Sequence, residues 1–214
     1  MMRLYGYDRS STSYRVRIAL NLKGVPYEGV EVDLREGAQR SDEFRKVNPF
    51  GSVPALVTDG GETVVQSLAI FTWLDRHHPE PPLWPSDPDA LVRAQELTYA
   101  IACDVHAVNN LRVLKRLRSA FGADEAAIED WYRHFIEESF APIEARLRAM
   151  TLEGRLPFGG PGAFEATLVP QVYNARRYAL DLSPYPEIVR IDAACTALDA
   201  FARAAPEAQD AAPA

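Results

Sequence analysis

The chain has 214 residues, enough for one large or two modest domains, and its 47% of hydrophobic residues can fill buried cores. A formal net charge of -7 argues against nucleic acid or an acidic membrane surface as partner, because phosphate binding needs a clustered positive field. No apolar run approaches a membrane span, and residues 1–20 lack the basic start and apolar core of a secretory leader, so the expectation is a soluble cytoplasmic protein.

In chain order, residues 2–7 (MRLYGY) predict a short strand that stops at a polar cluster, Asp8 to Ser13. A helix follows, with Val16, Ala19, Leu20 and, at the same spacing, Lys23 on one face and Gly24 where a left-handed C-cap belongs. The run VPYEGVEVDL alternates like a second strand, so strand, helix and strand suggest a parallel βαβ unit. Ser41 caps a short helix that Asn48-Pro49 ends. A strand through Leu56 and Val57, a turn at Asp59-Gly60-Gly61 and a strand at 63–65 read as an antiparallel hairpin, followed by a helix beginning at Ser67.

The segment PEPPLWPSDP has too many prolines for either element and predicts a linker. Everything beyond it reads as helical. Ile128, Trp131, Tyr132, Phe135, Ile136, Phe140, Ile143 and Leu147 form the apolar stripe of one long helix, which Pro142 should kink or divide. The tail from Ala204 is expected to fray.

Cys103 and Cys195 lie far apart with no CxxC and no zinc-type spacing, so both are expected in the core and no metal site is implied. Any thiol chemistry must therefore use a thiol brought by a ligand. Ser10-Ser11-Thr12-Ser13 stands directly before the first helix, where one hydroxyl would suffice as a cap. Free N–H groups and extra hydroxyls there can hold an anion, and a thiolate is one whose pKa such a site lowers. In SVPAL, Pro54 stands just before a strand, where a cis bond or an edge bend would turn the Val53 backbone toward an incoming peptide. Gln66-Ser67, at another helix start, offers an amide, a hydroxyl and free N–H groups to a carboxylate.

The stretches SSTSYRVRIALNLKG, NPFGSVPAL, QSLAI, ACDVHAVNNLRVLKRL and LVPQVYNARRYALDLSPYP together resemble the zeta class of glutathione transferases, over residues 2 to 190. The resemblance implies an α/β thioredoxin-like N-terminal domain plus an all-α C-terminal domain. The corresponding boundaries are 1–82 for the glutathione-binding domain, 83–88 for the linker and 89–214 for the helical domain. It also implies glutathione as cofactor, a cis Pro54 and a homodimer.

By motif position, the resemblance places glutathione against Ser10, Ser11, Thr12, Ser13, Tyr14, Arg15, Gln39, Val53, Pro54, Gln66 and Ser67, with His106, Asn110 and Leu111 as further contacts. Ser10 or Ser11 would hold the thiolate, and Thr12 stands where this class commonly has cysteine. Gly162 takes the place of a Ser or Thr N-cap, with Glu165 at the capping-box position. Arg9, Arg112 and Arg176 or Arg177 are implied to bind substrate carboxylates, whereas Arg15, Arg17 and Arg177 taken singly read at least as well as solvated surface charges.

The implied activity is glutathione-dependent cis–trans isomerisation of maleylacetoacetate or maleylpyruvate, a dicarboxylate, to its fumaryl isomer in aromatic catabolism. The alternative is a glutathione transferase or dehalogenase acting on small α-halo acids.

Overall fold

The short strand expected at residues 2–7 is realised as β1 (Met2–Gly6), with Met2 and Leu4 buried and Arg3 exposed, in a computed structural model, which describes residues 1–150 and 152–209. β2 (Tyr27–Glu31) pairs parallel with β1, Met2 opposite Tyr27, while β3 (Ala55–Val57) pairs antiparallel with it, Leu4 opposite Leu56. β4 (Thr63–Val65) completes the hairpin, giving a mixed sheet in the order β2-β1-β3-β4. The helix joining the parallel pair, α1 (Ser11–Leu22), ends with Gly24 at φ +63°, the left-handed residue its sequence predicts. Its Val16, Ile18 and Leu20 are completely buried, each worth about 1.5–3 kcal/mol of apolar transfer. α2 (Asp42–Val47) starts from the Ser41 cap, and α3 (Ser67–His77) packs against α1.

Two compact units emerge, residues 1–84 together with the stretch from Thr196 onward, and residues 85–195. The stretch after Cys195, which sequence reasoning gives to the helical half, thus belongs with the sheet. α10 (Asp199–Ala202) packs on α1, and the Asn21 side chain donates to the Ala200 carbonyl at 2.9 Å. Ala204, where the sequence predicts fraying, is completely buried, and a 3₁₀ turn follows at 206–208; the remainder of that expectation, 210–214, lies outside the described residues.

Lys23 falls on the face that helical spacing groups with Val16, Ala19 and Leu20. Its side chain is fully buried, with the ammonium 2.5 Å from Asp75 and 2.7 Å from the His78 carbonyl. Asp75 in turn accepts from the amides of Leu83 and Trp84, tying the proline-rich segment to the end of α3.

The second unit is all helical. α4 (Pro88–Tyr99) begins at the Asp87 cap with proline at its first position, as helix chemistry favours. It runs through a π-helical turn (Ala100–Val105) into α5 (His106–Val108), and α6 (Leu111–Phe121) and α7 (Glu125–Ala149) follow. The π turn buries Ile101 and Val105 but aims Cys103 outward, so this cysteine is exposed, against expectation; Cys195 is buried.

Nor does Pro142 divide α7, which continues for 25 residues. Proline removes one backbone bond at a cost of about 3 kcal/mol. Here it sits on the exposed side, one turn after the exposed Glu138, while Ile128, Tyr132, Ile136, Phe140, Ile143 and Leu147 stay buried along the other face. α8 (Ala163–Arg177) is buried almost throughout, and α9 (Pro186–Thr196) receives its N-terminal capping from Glu144, which accepts from the amides of Glu187 and Ile188. The architecture is therefore a thioredoxin-like α/β unit with an all-helical one.

Candidate active site

Ser10 is the cap of α1, and its Oγ accepts from the Ser13 amide at 3.3 Å. The same Oγ lies 2.9 Å from Thr12 Oγ1, and Thr12 Oγ1 donates to the Val53 carbonyl at 3.1 Å. Thr12 has one hydroxyl hydrogen, and it goes to Val53. The Ser10 hydroxyl therefore donates to Thr12, which makes a directed chain from Ser10 through Thr12 to Val53. Because the cap uses a lone pair of Ser10, turning its hydrogen toward an anion needs only rotation about the C–O bond and leaves the cap intact. No acidic residue lies in the first turn of α1, so its positive end is not neutralised by the helix itself.

Close packing fixes this corner. Ser13 is fully buried and its Oγ accepts from the Tyr7 amide at 3.3 Å. A Cβ added at Gly6 would meet Ser13 Oγ at 3.1 Å, so the strand must be bare there for the helix start to approach. The Val53-Pro54 bond is cis, one of the two alternatives the sequence leaves open. The loop before it is held by Asn48, completely buried, whose Nδ2 donates to the Ser52 carbonyl at 2.6 Å while its Oδ1 accepts from Phe50. Sequence reasoning sees Asn48 only as a helix stop; the Asn-Pro pair carries no sign of this second task.

Two further groups belong to the same unit. Gln39 is buried in a 3₁₀ turn (Ala38–Arg40), and its Oε1 has no hydrogen-bond partner among the described residues. Gln66, rather than Ser67, occupies the cap position of α3, at φ +71°, a conformation uncommon for a residue with a side chain and characteristic of functional sites. Ser67 is the first helical residue, buried, again with no acidic neighbour in that turn. Arg9 is exposed, its amide bonded to Asp8.

Tyr14 is buried against the core, and Arg15 and Arg17, expected as surface charges, are buried to 1% and 4% exposure. Their helix has almost no solvent face, since the sheet, α3 and the C-terminal stretch cover it.

In the helical unit, Asn110 caps α6 through Oδ1 and its Nδ2 lies 3.3 Å from His106 Nε2, so that ring nitrogen is an acceptor. Asn109 and Trp131 pin the turn, donating to the carbonyls of Tyr132 and Val108. Leu111 and Arg112 are exposed, and Arg112 makes no ion pair among the described residues. Arg176 is different: it donates to Asp192 at 2.6 Å, so its charge is already matched. Burial dominates at Asp192, whose pKa is raised despite the guanidinium.

A family described as "Glutathione S-transferase, N-terminal domain" matches residues 9–77, the segment that carries this hydroxyl chain, the cis proline and Gln66. A maleylpyruvate isomerase from Ralstonia sp is 49% identical over 209 residues, covering 97% of this chain and 98% of the relative. The chain belongs to the zeta class of glutathione transferases. A holo structure titled as a maleyl pyruvate isomerase of that class superposes with a TM-score of 0.94 at 47% identity, covering 97% of this chain and 98% of that one. A maleylacetoacetate isomerase from Methylobacterium extorquens AM1, holding malonate and glutathione, reaches 0.94 at 36% identity over 99% and 100% of the two chains. In this chain the Thr12 hydroxyl links Ser10 to the Val53 carbonyl, to which a thiol at that position would be a weaker donor.

Proposed function

We propose that the chain is a glutathione-dependent isomerase that converts maleylpyruvate or maleylacetoacetate to the fumaryl isomer, acting as a cytoplasmic homodimer. One observation carries the reading: a helix start with three hydroxyls, no acid in its first turn and a cis-proline loop beside it, in a chain whose own cysteines cannot serve. Cys195 is buried and its thiol is pushed far above the usual range by desolvation, and neither cysteine lies in the motif at the start of α1.

The residues fit glutathione. The buried Gln39 Oε1 needs a donor, and the start of α3 at Gln66 and Ser67 suits a carboxylate. Val53 offers backbone to a peptide. When bound, glutathione supplies a thiolate that adds reversibly to the maleyl double bond and so frees rotation about it. Ser10, Ser11 and Thr12 hold the negative charge at the α1 terminus, and the helix end lowers the energy of the anion before any substrate arrives. Arg9, one residue ahead of the hydroxyls and exposed, is assigned to a substrate carboxylate. In the helical unit Arg112, with no ion pair of its own, is a better carboxylate ligand than Arg176, which Asp192 already neutralises.

The test is purified protein with each maleyl keto acid and substoichiometric glutathione, followed by ultraviolet absorbance. Many turnovers per glutathione are expected, with the free thiol recovered at the end; consumption of one glutathione per substrate would instead mark a conjugating transferase. Arg112→Ala should raise KM for the keto acid about tenfold, or about 1.4 kcal/mol, and leave the Kd of glutathione unchanged. A parallel loss of both would remove Arg112 from the substrate.

A further inference from the structure

Arg17 is buried to 4% exposure, yet no carboxylate lies within ion-pairing distance of it among the described residues. A buried charge without a counter-charge is costly, and desolvation lowers its pKa to about 10. What surrounds the guanidinium is a set of backbone carbonyls. Nε donates to Ala204 at 2.8 Å, Nη2 to Asp8 at 2.8 Å and Nη1 to Tyr7 at 3.3 Å. The Tyr14 ring lies 5.5 Å from its carbon.

Two of these carbonyls belong to the loop that delivers the chain to the hydroxyl cluster. Tyr7 is the pivot, because its carbonyl also accepts the Ser10 amide at 3.1 Å, fixing where the cap of α1 begins. The third belongs to the C-terminal stretch, 187 positions away. That stretch is itself anchored by the buried Phe201, by the bond from Asn21 to Ala200, and by Gln209, which donates to the carbonyls of Arg203 and Ala205.

The geometry points to Arg17 as a positioning residue for thiol activation: it clamps the Tyr7–Asp8 loop to the returning C-terminal stretch and so sets the Ser10–Thr12 hydroxyls against the sulfur. The planar fork makes this possible, since one guanidinium reaches carbonyls of two chain segments in a fixed relation, which an ammonium on a flexible stem does not reproduce. The inference rests on glutathione binding at the start of α1.

The experiment compares wild type with Arg17→Lys and Asn21→Ala. The pKa of bound glutathione is read from the ultraviolet absorbance of its thiolate against pH, its Kd by titration, and hydrogen exchange at the Ser10 amide in the unliganded protein. Arg17→Lys keeps the charge and loses the fork. It should raise the bound-thiol pKa by about one unit toward the free value of about 8.5, a tenfold loss of thiolate, and speed Ser10 exchange. The Kd should change less than about threefold, because Gln39, Gln66 and Ser67 are untouched.

Asn21→Ala, which loosens the same stretch from a partly exposed position outside the hydroxyl cluster, should shift the thiol pKa in the same direction by a smaller amount and serves where the lysine variant does not fold. A bound-thiol pKa unchanged in the variants while thermal stability falls would overturn the inference and leave Arg17 a structural residue. Failure of the wild type to bind glutathione or to lower its thiol pKa would instead overturn the proposed function itself.

Discussion

Asp75→Ala is expected to lower the unfolding free energy by about 3–4 kcal/mol, which for a chain of this length is roughly a 10 °C fall in Tm. The reason lies in what the substitution leaves behind. Lys23 has a fully buried side chain, 2.5 Å from Asp75, with the carbonyls of His78 and Pro79 as its other acceptors. Removing the carboxylate strands an ammonium where water cannot reach it, and it also deprives the Leu83 and Trp84 amides of their acceptor. Asp75 itself keeps 19% side-chain exposure, which places the expected loss toward the lower end for a broken buried pair.

Lys23→Met should cost clearly less, because Asp75 keeps both backbone donors and some contact with water. The double variant should be less unstable than the two single losses combined, since the stranded charge is then gone. Denaturant unfolding of the four proteins decides it. A loss below about 1 kcal/mol in Asp75→Ala would show that the pair contributes no more than an ordinary surface bridge.

The pair also shows where sequence reading stops. Local chemistry was legible: the Ser41 cap, a hydroxyl cap within residues 10–13, Gly24 after α1, the Asp59-Gly60-Gly61 hairpin and the short strand at the start of the chain all follow from rules that span a few residues. The hydroxyl cluster before α1 was legible as a candidate site for the same reason. What Arg15 and Arg17 do was not, because a basic residue in an amphipathic helix reads as solvent-facing until something covers it, and the spacing that puts Lys23 on the inner face names no partner for it. Arg17 is covered by carbonyls far along the chain, and Lys23 by the end of α3 and the proline-rich segment. The same return of the chain orders Ala204, where alanine and proline composition alone predicts fraying. Cys103 went the opposite way, rotated outward by a π turn, and of the two outcomes open to Pro142 division does not occur, because a long buried face carries the helix through it.

The site shows a related pattern. The sequence shows the amide of Gln66, but its positive φ is a property of the loop from β4 to α3 and leaves no mark on a sequence without glycine there. Asn48 was visible only as a stop signal, yet it pins the backbone beside the cis proline. The link between Thr12 and Val53 could not be seen either, since it joins residues 41 positions apart.

Glu165→Gln is expected to make the protein relatively more stable as pH rises, by about 3 kcal/mol across the window from 4.5 to about 7. Glu165 is completely buried at the start of α8, where its Oε2 accepts from the Gly162 amide at 2.9 Å and its Oε1 has no hydrogen-bond partner among the described residues. Gly162 has no side chain, so only the glutamate half of a capping box exists here. Desolvation is the largest influence and raises the pKa from 4.5 to about 7, with the Gly162 amide and the residue's own amide pulling the other way.

The native state thus keeps a proton that the unfolded chain releases above 4.5. The protonated carboxyl contributes stability that is fully present below that pH and is lost progressively as pH rises to about 7, beyond which the loss is complete. Glutamine retains an oxygen for Gly162 and has no proton to lose. Urea unfolding of both proteins at intervals from pH 5 to pH 8 measures the difference directly. A difference that stays flat over that range would show that Glu165 is ionised at no cost inside α8, and that water or a neighbour meets its second oxygen.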